Sequence, residues 1–126
     1  MKKERIVALF LIASLFLLLL NCSRPESLPD KGVSILSPKA NDMVQAGAPY
    51  EIQWKAEVAE SDFGTALTVE FSKDGGKSWE KVEENVPNKG KYVWNVPKVD
   101  SAQCKVRLSS QYRPIYRGTS APFTVK

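Results

Sequence analysis

From Val33 onward the chain is a succession of short runs in which apolar and polar side chains alternate, each closed by residues that turn the backbone. Period-two alternation marks a strand with one wet face, whereas a helix needs apolar residues at spacings of three and four. No stretch of useful length has the helical period. The alternation predicts seven strands, at about Val33 to Leu36, Tyr50 to Lys55, Ala66 to Ser72, Trp79 to Val82, Tyr92 to Val96, Cys104 to Ser109 and Phe123 to Val125. Tyr50, Ile52 and Trp54 share a face against Glu51, Gln53 and Lys55; Leu67, Val69 and Phe71 oppose Thr68 and Glu70; Tyr92, Trp94 and Val96 oppose Val93 and Asn95. Breakers fall between the runs, at Pro38 to Asn41, Gly47 to Pro49, Asp74-Gly75-Gly76, Asn88-Lys89-Gly90 and Pro97. Strands with one dry side bury it against a second sheet. The expected fold is therefore all-β, a seven-stranded antiparallel sandwich of immunoglobulin-like or fibronectin-III-like type over residues 33–126.

The first fifth of the chain obeys different rules. Met1-Lys2-Lys3-Glu4-Arg5 precedes an unbroken apolar run from Ile6 to Leu20, the order of a secretory signal peptide. The run is short of the roughly 20 apolar residues a bilayer core requires, so an uncleaved anchor would need snorkelling Lys and Arg side chains. Leu19-Leu20-Asn21-Cys22 resembles a bacterial lipobox, which implies cleavage before Cys22 and acylation of that residue. Asn21 stands where Gly or Ala is usual, as in the relaxed lipoboxes of spirochaetes. Three acyl chains, at about 0.8 kcal/mol per buried CH₂, exceed what stable anchoring requires. Ser23 is not the Asp that retains lipoproteins in the enterobacterial inner membrane, which favours the outer membrane or cell surface. The expected organisation is a signal peptide at residues 1–21, a lipidated tether at 22–32 and one domain thereafter. Cleavage would leave 105 of the 126 residues, with 15 basic and 13 acidic side chains, a net charge of about +2. A chain of that size holds one small domain.

Cysteine usage agrees with an exported chain in which the first Cys is spent on lipid. Cys22 and Cys104 are the two cysteines. Cys104 alternates with Val106 and Leu108 on a dry face, which predicts a buried, inert thiol. A Cys22–Cys104 disulfide is the alternative where no lipid is added.

Further along, Ile35-Leu36-Ser37-Pro38, Val44-Gln45-Ala46-Gly47 and Tyr50-Glu51-Ile52-Gln53-Trp54 resemble the opening of the immunoglobulin-like domain in the Ser/Thr-rich GPI-anchored membrane family, which includes the N-terminal domain of yeast cell-wall glucan-assembly proteins and bacterial surface modules. Val69 to Trp79, Asn88 to Pro97, Cys104 to Leu108 and Pro122 to Val125 are similar to its later strands. The resemblance implies an extracytoplasmic accessory or binding module. The chain has no Ser/Thr-rich tail and no C-terminal GPI signal, so the glucan-assembly role is not carried over.

Composition narrows the chemistry. The chain has no His, so the commonest general base and the commonest metal ligand are missing. Ser72-x-Asp74-x-Gly76-x-Ser78-Trp79 resembles the Asp-box of sialidase propellers, but a propeller needs at least four blades, which 105 residues cannot supply. The expected role of Asp74, Gly76 and Trp79 is structural: a carboxylate accepting N–H bonds across a turn, a glycine permitting positive φ and an indole packed at its base. One carboxylate falls short of the six to eight oxygens Ca²⁺ requires. Gly76-Lys77-Ser78 lacks the earlier Gly of a phosphate-binding loop, because Phe71 stands there.

Glu80, Glu83 and Glu84 can in principle form an acid–base pair for glycan hydrolysis, but charges on strand ends ordinarily keep an edge soluble. Trp54, Trp94, Tyr50 and Tyr92 fall on inward parity and belong to the core. The one aromatic and basic loop is Tyr112 to Gly118. It predicts a ligand patch of Tyr112, Arg113, Tyr116 and Arg117, or else a hairpin that uses the tyrosines as cross-strand cover. The expected function is a lipid-anchored, non-catalytic binding or structural module of the cell envelope, with a protein or polysaccharide partner. No cofactor, metal or nucleic acid is expected. An envelope-assembly factor or small glycan-directed enzyme is the alternative.

Overall fold

The computed structural model describes residues 29–126; the expected signal peptide, Cys22 and the expected tether as far as residue 28 lie outside the described residues. Two β-sheets enclose one core. The smaller sheet pairs β1 (Val33–Ser37) with β3 (Pro49–Ala56) and β3 with β6 (Lys91–Asn95), all antiparallel. The larger runs in the order β2 (Met43–Val44), β9 (Phe123–Val125), β7 (Ser101–Ser110), β4 (Ala66–Ser72), β5 (Glu80–Pro87), with β8 (Arg117–Thr119) also paired to β7. This is an immunoglobulin-like β-sandwich. Its first strand changes sheets: β1 lies antiparallel to β3, and β2 then lies parallel to β9 on the opposite sheet, with Met43 beside Thr124 and Val44 beside Val125.

Each of the seven expected strands is present, but the sandwich has nine, so the count of seven is corrected. The two additions, β2 and β8, are two and three residues long, too short for an alternation to register. Strand bounds move as well: Trp79 precedes β5, which instead extends to Pro87, and β7 starts at Ser101. A one-turn helix, α1 (Glu60–Phe63), joins β3 to β4. Residues 30–32, which the expected tether includes, are bonded to the domain. Lys31 N–H donates to Arg117 O at 2.8 Å, Arg117 N–H returns to Lys31 O at 2.9 Å, and Thr119 donates both its N–H and its hydroxyl to the Asp30 carboxylate at 3.0 Å. Asp30 to Gly32 are therefore laid along β8 rather than free below the domain.

The inward faces follow the alternation. Ile52, Phe63, Leu67, Val69, Cys104, Val106, Leu108 and Val125 are wholly buried, as is Phe123 apart from a trace. Trp54 and Trp94 are each 3% exposed, while Tyr50 and Tyr92 are half-buried at the margin. Trp94 meets Phe71 with ring centroids 5.0 Å apart, tilted by 49°, an arrangement aromatic quadrupoles favour. The Trp54 indole, which needs a partner once buried, donates to Asn88 Oδ1 at 2.9 Å. Burial holds the Cys104 thiol in its neutral form, raising its pKa, and its Sγ lies 3.5 Å from Ser101 O.

The edge strand β5 departs from simple pairing. Leu67 faces Val86, Val69 faces Glu83 and Glu70 faces Lys81, so β5 has an extra residue in each interval. Asn85 takes φ 56°, a left-handed conformation that Asn tolerates, and the resulting bulge turns Val86 inward to 2% exposure. The acidic residues sit on this bulged edge: Glu84 pairs with Lys81, and Glu83 accepts the Glu84 N–H. The three glutamates are exposed and line none of the cavities described below.

Candidate functional site

The turn between β4 and β5 is built around Asp74. Its carboxylate accepts hydrogen bonds from Ser78 Oγ at 2.5 Å, Ser78 N at 2.9 Å and Ser72 Oγ at 2.7 Å, while Gly76 N–H donates to Ser72 Oγ at 2.8 Å. Gly75 and Gly76 take φ of 75° and 93°, which a side chain would strain. The turn is bound to β7 by Gly75 N–H to Gln103 O at 2.7 Å. The expected structural roles of Asp74, Gly76 and Trp79 agree with this geometry. Both Asp74 oxygens are occupied by serine donors, and among the described residues no group of three acidic, Cys or His side chains gathers to hold a metal.

Those donors, the Ser78 hydroxyl foremost, hold the Asp74 carboxyl well below its ordinary pKa of 3.8. A carboxyl with a depressed folded-state pKa stabilises the fold at neutral pH and loses that contribution as pH falls below its unfolded value. Asp74→Asn is therefore expected to lower the denaturant midpoint at pH 7, with the gap to the parent protein closing as pH drops below 3.8. Midpoints measured across that range check it; a gap independent of pH would assign the effect to geometry rather than charge.

Beside the turn, the outward faces of β7 and β8 form a groove of about 350 Å³, with Gly75, Gly76, Trp79, Lys105, Arg107, Arg117, Thr119, Pro29 and Asp30 around it. Strand parity explains its chemistry. Lys105 and Arg107 lie two apart on the wet face of β7, opposite in parity to the buried Cys104, Val106 and Leu108; Arg107 pairs in register with Thr119, and Arg117 follows on the diagonal. The Arg107 guanidinium carbon sits 4.1 Å from the centre of the Trp79 ring, and its Nε and Nη2 donate to the Glu70 carboxylate at 3.3 and 3.0 Å. A stacked, forked arginine in this arrangement is held in one orientation.

Trp79 is flanked by Arg107 and by Gly76, where a Cβ would lie 3.4 Å from the ring, so it orients the arginine rather than offering a free face. Lys105 and Arg117 have no carboxylate partner among the described residues, and the buried Arg117 Nε has no hydrogen-bond partner there. Asp30 is the opposing charge, and it is bonded to Thr119. The groove thus presents an excess of positive charge in a half-buried setting, suited to an anionic group.

The expected patch of Tyr112, Arg113, Tyr116 and Arg117 is divided. Tyr112 is 67% exposed and lines a separate hollow of about 530 Å³ with Ser61, Gly64, Thr65, Ala66, Asn85 and Gln111. Arg113 lies 5.6 Å from the Tyr112 ring and 3.6 Å from Asp62. Tyr116 folds back onto Phe63, centroids 6.5 Å apart, with Lys31 Nζ 5.7 Å from its ring centre. Of the four, Arg117 alone reaches the basic groove. Lys105 and Arg107 were not singled out by sequence; the signal was a pair of cations on the wet parity of a core strand, but their meeting with Trp79 depends on strand pairing.

No family model matches the chain, and no curated protein matches it. Among solved structures, extracellular domains 3–5 of Drosophila OTK are similar, at 14% sequence identity over 79% of this chain and 38% of that one, with a TM-score of 0.39. So slight a likeness carries no argument about function.

Proposed function

We propose that this protein is a non-catalytic binding module of a bacterial cell envelope, held to a membrane by acylation of Cys22, that captures an anionic ligand in the groove around Trp79, Lys105, Arg107 and Arg117. The single observation that supports the reading is the half-buried pair of uncompensated cations, Lys105 and Arg117, beside an arginine fixed by Trp79 and Glu70. A basic groove on a rigid sheet can hold an anion by charge and hydrogen bonding alone. The sequence motifs that resemble the immunoglobulin-like module of the GPI-anchored membrane family support an extracytoplasmic accessory role.

Two measurements test it. The intact mass of the native protein is expected to equal residues 22–126 plus acyl chains, with detergent partitioning lost in Cys22→Ala. Titration of the protein with an acidic polysaccharide or with inorganic diphosphate is expected to change tryptophan emission saturably, and Lys105→Gln/Arg117→Gln is expected to lose most of that response at an unchanged melting temperature. An unacylated mass removes the anchor, and a response unaltered in the double variant removes the groove.

A further inference from the structure

The groove and the tether share a wall. Pro29, the first described residue, and Asp30 line the groove, and Asp30 is bonded to Thr119 within it. From Cys22 to Pro29 is seven residues, which at full extension span about 25 Å. If Cys22 carries lipid, the groove is the part of the domain tied most closely to the membrane surface, since the chain leaves the domain at its rim. Its charge matches that location. Lys105 and Arg117 are without carboxylate partners among the described residues, and Arg107 has its Nε and Nη2 bonded to Glu70 but no partner there for Nη1. The turn that closes one side carries Lys77 between its glycines and Trp79. The acidic side chains Glu80, Glu83 and Glu84 lie along the edge strand β5, which begins directly after Trp79, and they line no part of the groove. A domain tethered beside a basic groove is turned by a negative membrane surface so that the groove faces the lipid.

We infer that the groove binds the phosphate of an anionic phospholipid headgroup in the membrane that holds the protein's own anchor, docking the domain flat on that surface. The inference rests on the proposed acylation of Cys22 and on the groove reading. A phosphodiester offers two non-bridging oxygens that share one negative charge to the fixed Arg107 and to the Lys105 and Arg117 donors, and its fatty chains stay in the bilayer while the headgroup enters. The Asp30 carboxylate, the opposing charge, is held by the Thr119 N–H and hydroxyl.

The native acylated protein, reconstituted in nanodiscs, tests it. Trp54 and Trp94 are buried and Trp79 is half-buried, so emission that depends on the lipid reports the groove, and Trp79→Phe identifies its source. Discs of phosphatidylcholine containing phosphatidylglycerol are expected to shift the emission and to shield Lys105 from amine labelling several-fold, relative to phosphatidylcholine alone. Both effects are expected to vanish in Lys105→Gln/Arg117→Gln. Should that variant not fold, Lys105→Glu alone, at a half-exposed position whose side chain makes no hydrogen bond among the described residues, serves the same purpose. Equal emission and labelling in both lipids, with inorganic diphosphate still bound in solution, would overturn the headgroup assignment and leave the binding module standing. Failure with diphosphate as well would overturn both readings, and an unacylated native mass would overturn the docking inference at its premise.

Discussion

Phe63→Ala is expected to lower the unfolding free energy of the domain by about 3–5 kcal/mol, the usual loss for a buried aromatic ring truncated in a core that cannot collapse around the void. Phe63 has no exposed surface, although its neighbours Glu60, Ser61 and Gly64 are exposed or half-exposed. It is the one residue of α1 that enters the core, and its ring packs toward Tyr116. Phe63 is thus the fully buried anchor of the connection from β3 to β4, with Val58 packed part-buried beside the core. Its backbone is held as well: Phe63 N–H donates to Ala59 O at 2.9 Å, and its carbonyl accepts the Ser110 hydroxyl. For a domain of this size each kcal/mol moves the midpoint by about 4–8 °C, so a fall of more than about 10 °C is expected in a thermal melt. A fall of under about 4 °C would mean that neighbouring side chains close the void.

Gly118→Ala is expected to cost about 3 kcal/mol, more than a single added methyl group ordinarily does, because backbone and not a side chain stands in its way. A Cβ at Gly118 would lie 2.4 Å from Val33 O and 2.9 Å from Val33 C. Val33 begins the smaller sheet and Gly118 is the middle residue of β8, so this is where the two sheets come into near contact along the main chain. Admitting the methyl group means moving β1 away from β8, which strains the bonds between Lys31 and Arg117 on either side of it. The expected signature is a lower denaturant midpoint together with faster hydrogen exchange at the Lys31 and Arg117 amides. A midpoint within about 0.5 kcal/mol of the parent would show that the sheets can part at little cost, and that glycine is not required there.

Alternation carried the fold because β3, β4 and β7 each have one dry side. Ile52 with Trp54, Leu67 with Val69 and Cys104 with Val106 and Leu108 are buried as parity requires. Parity says nothing of β2 and β8, whose two and three residues are defined by hydrogen bonds to distant partners. It also stops at Val82, because the bulges that follow in β5 put successive side chains out of phase. A single helical turn has no period to detect, so Phe63 was indistinguishable from a loop residue. The site was legible only in part. Asp74, Gly76 and Trp79 declared themselves as a turn because their chemistry is local, spanning six residues. The groove is not local: Lys105 and Arg107, Trp79, Arg117 and Asp30 come from four places in the chain and meet through the pairing of β7 with β8 and of residues 30–32 with β8. The loop from Tyr112 to Tyr116 was misleading for the complementary reason. Residues adjacent in sequence point apart there, Tyr112 to one hollow and Tyr116 to the core.

The way the larger sheet ends has a consequence for how anything can adhere to it. At one margin β2 offers two residues; at the other, β5 is bulged twice and bristles with Glu80, Lys81, Glu83 and Glu84. An incoming peptide that sought to lengthen the sheet would find no straight row of main-chain donors and acceptors to zip against. Recognition on this sheet must therefore run through side chains on its faces and in its loops. Copies of the protein crowded side by side can touch there without polymerising into a continuous ribbon.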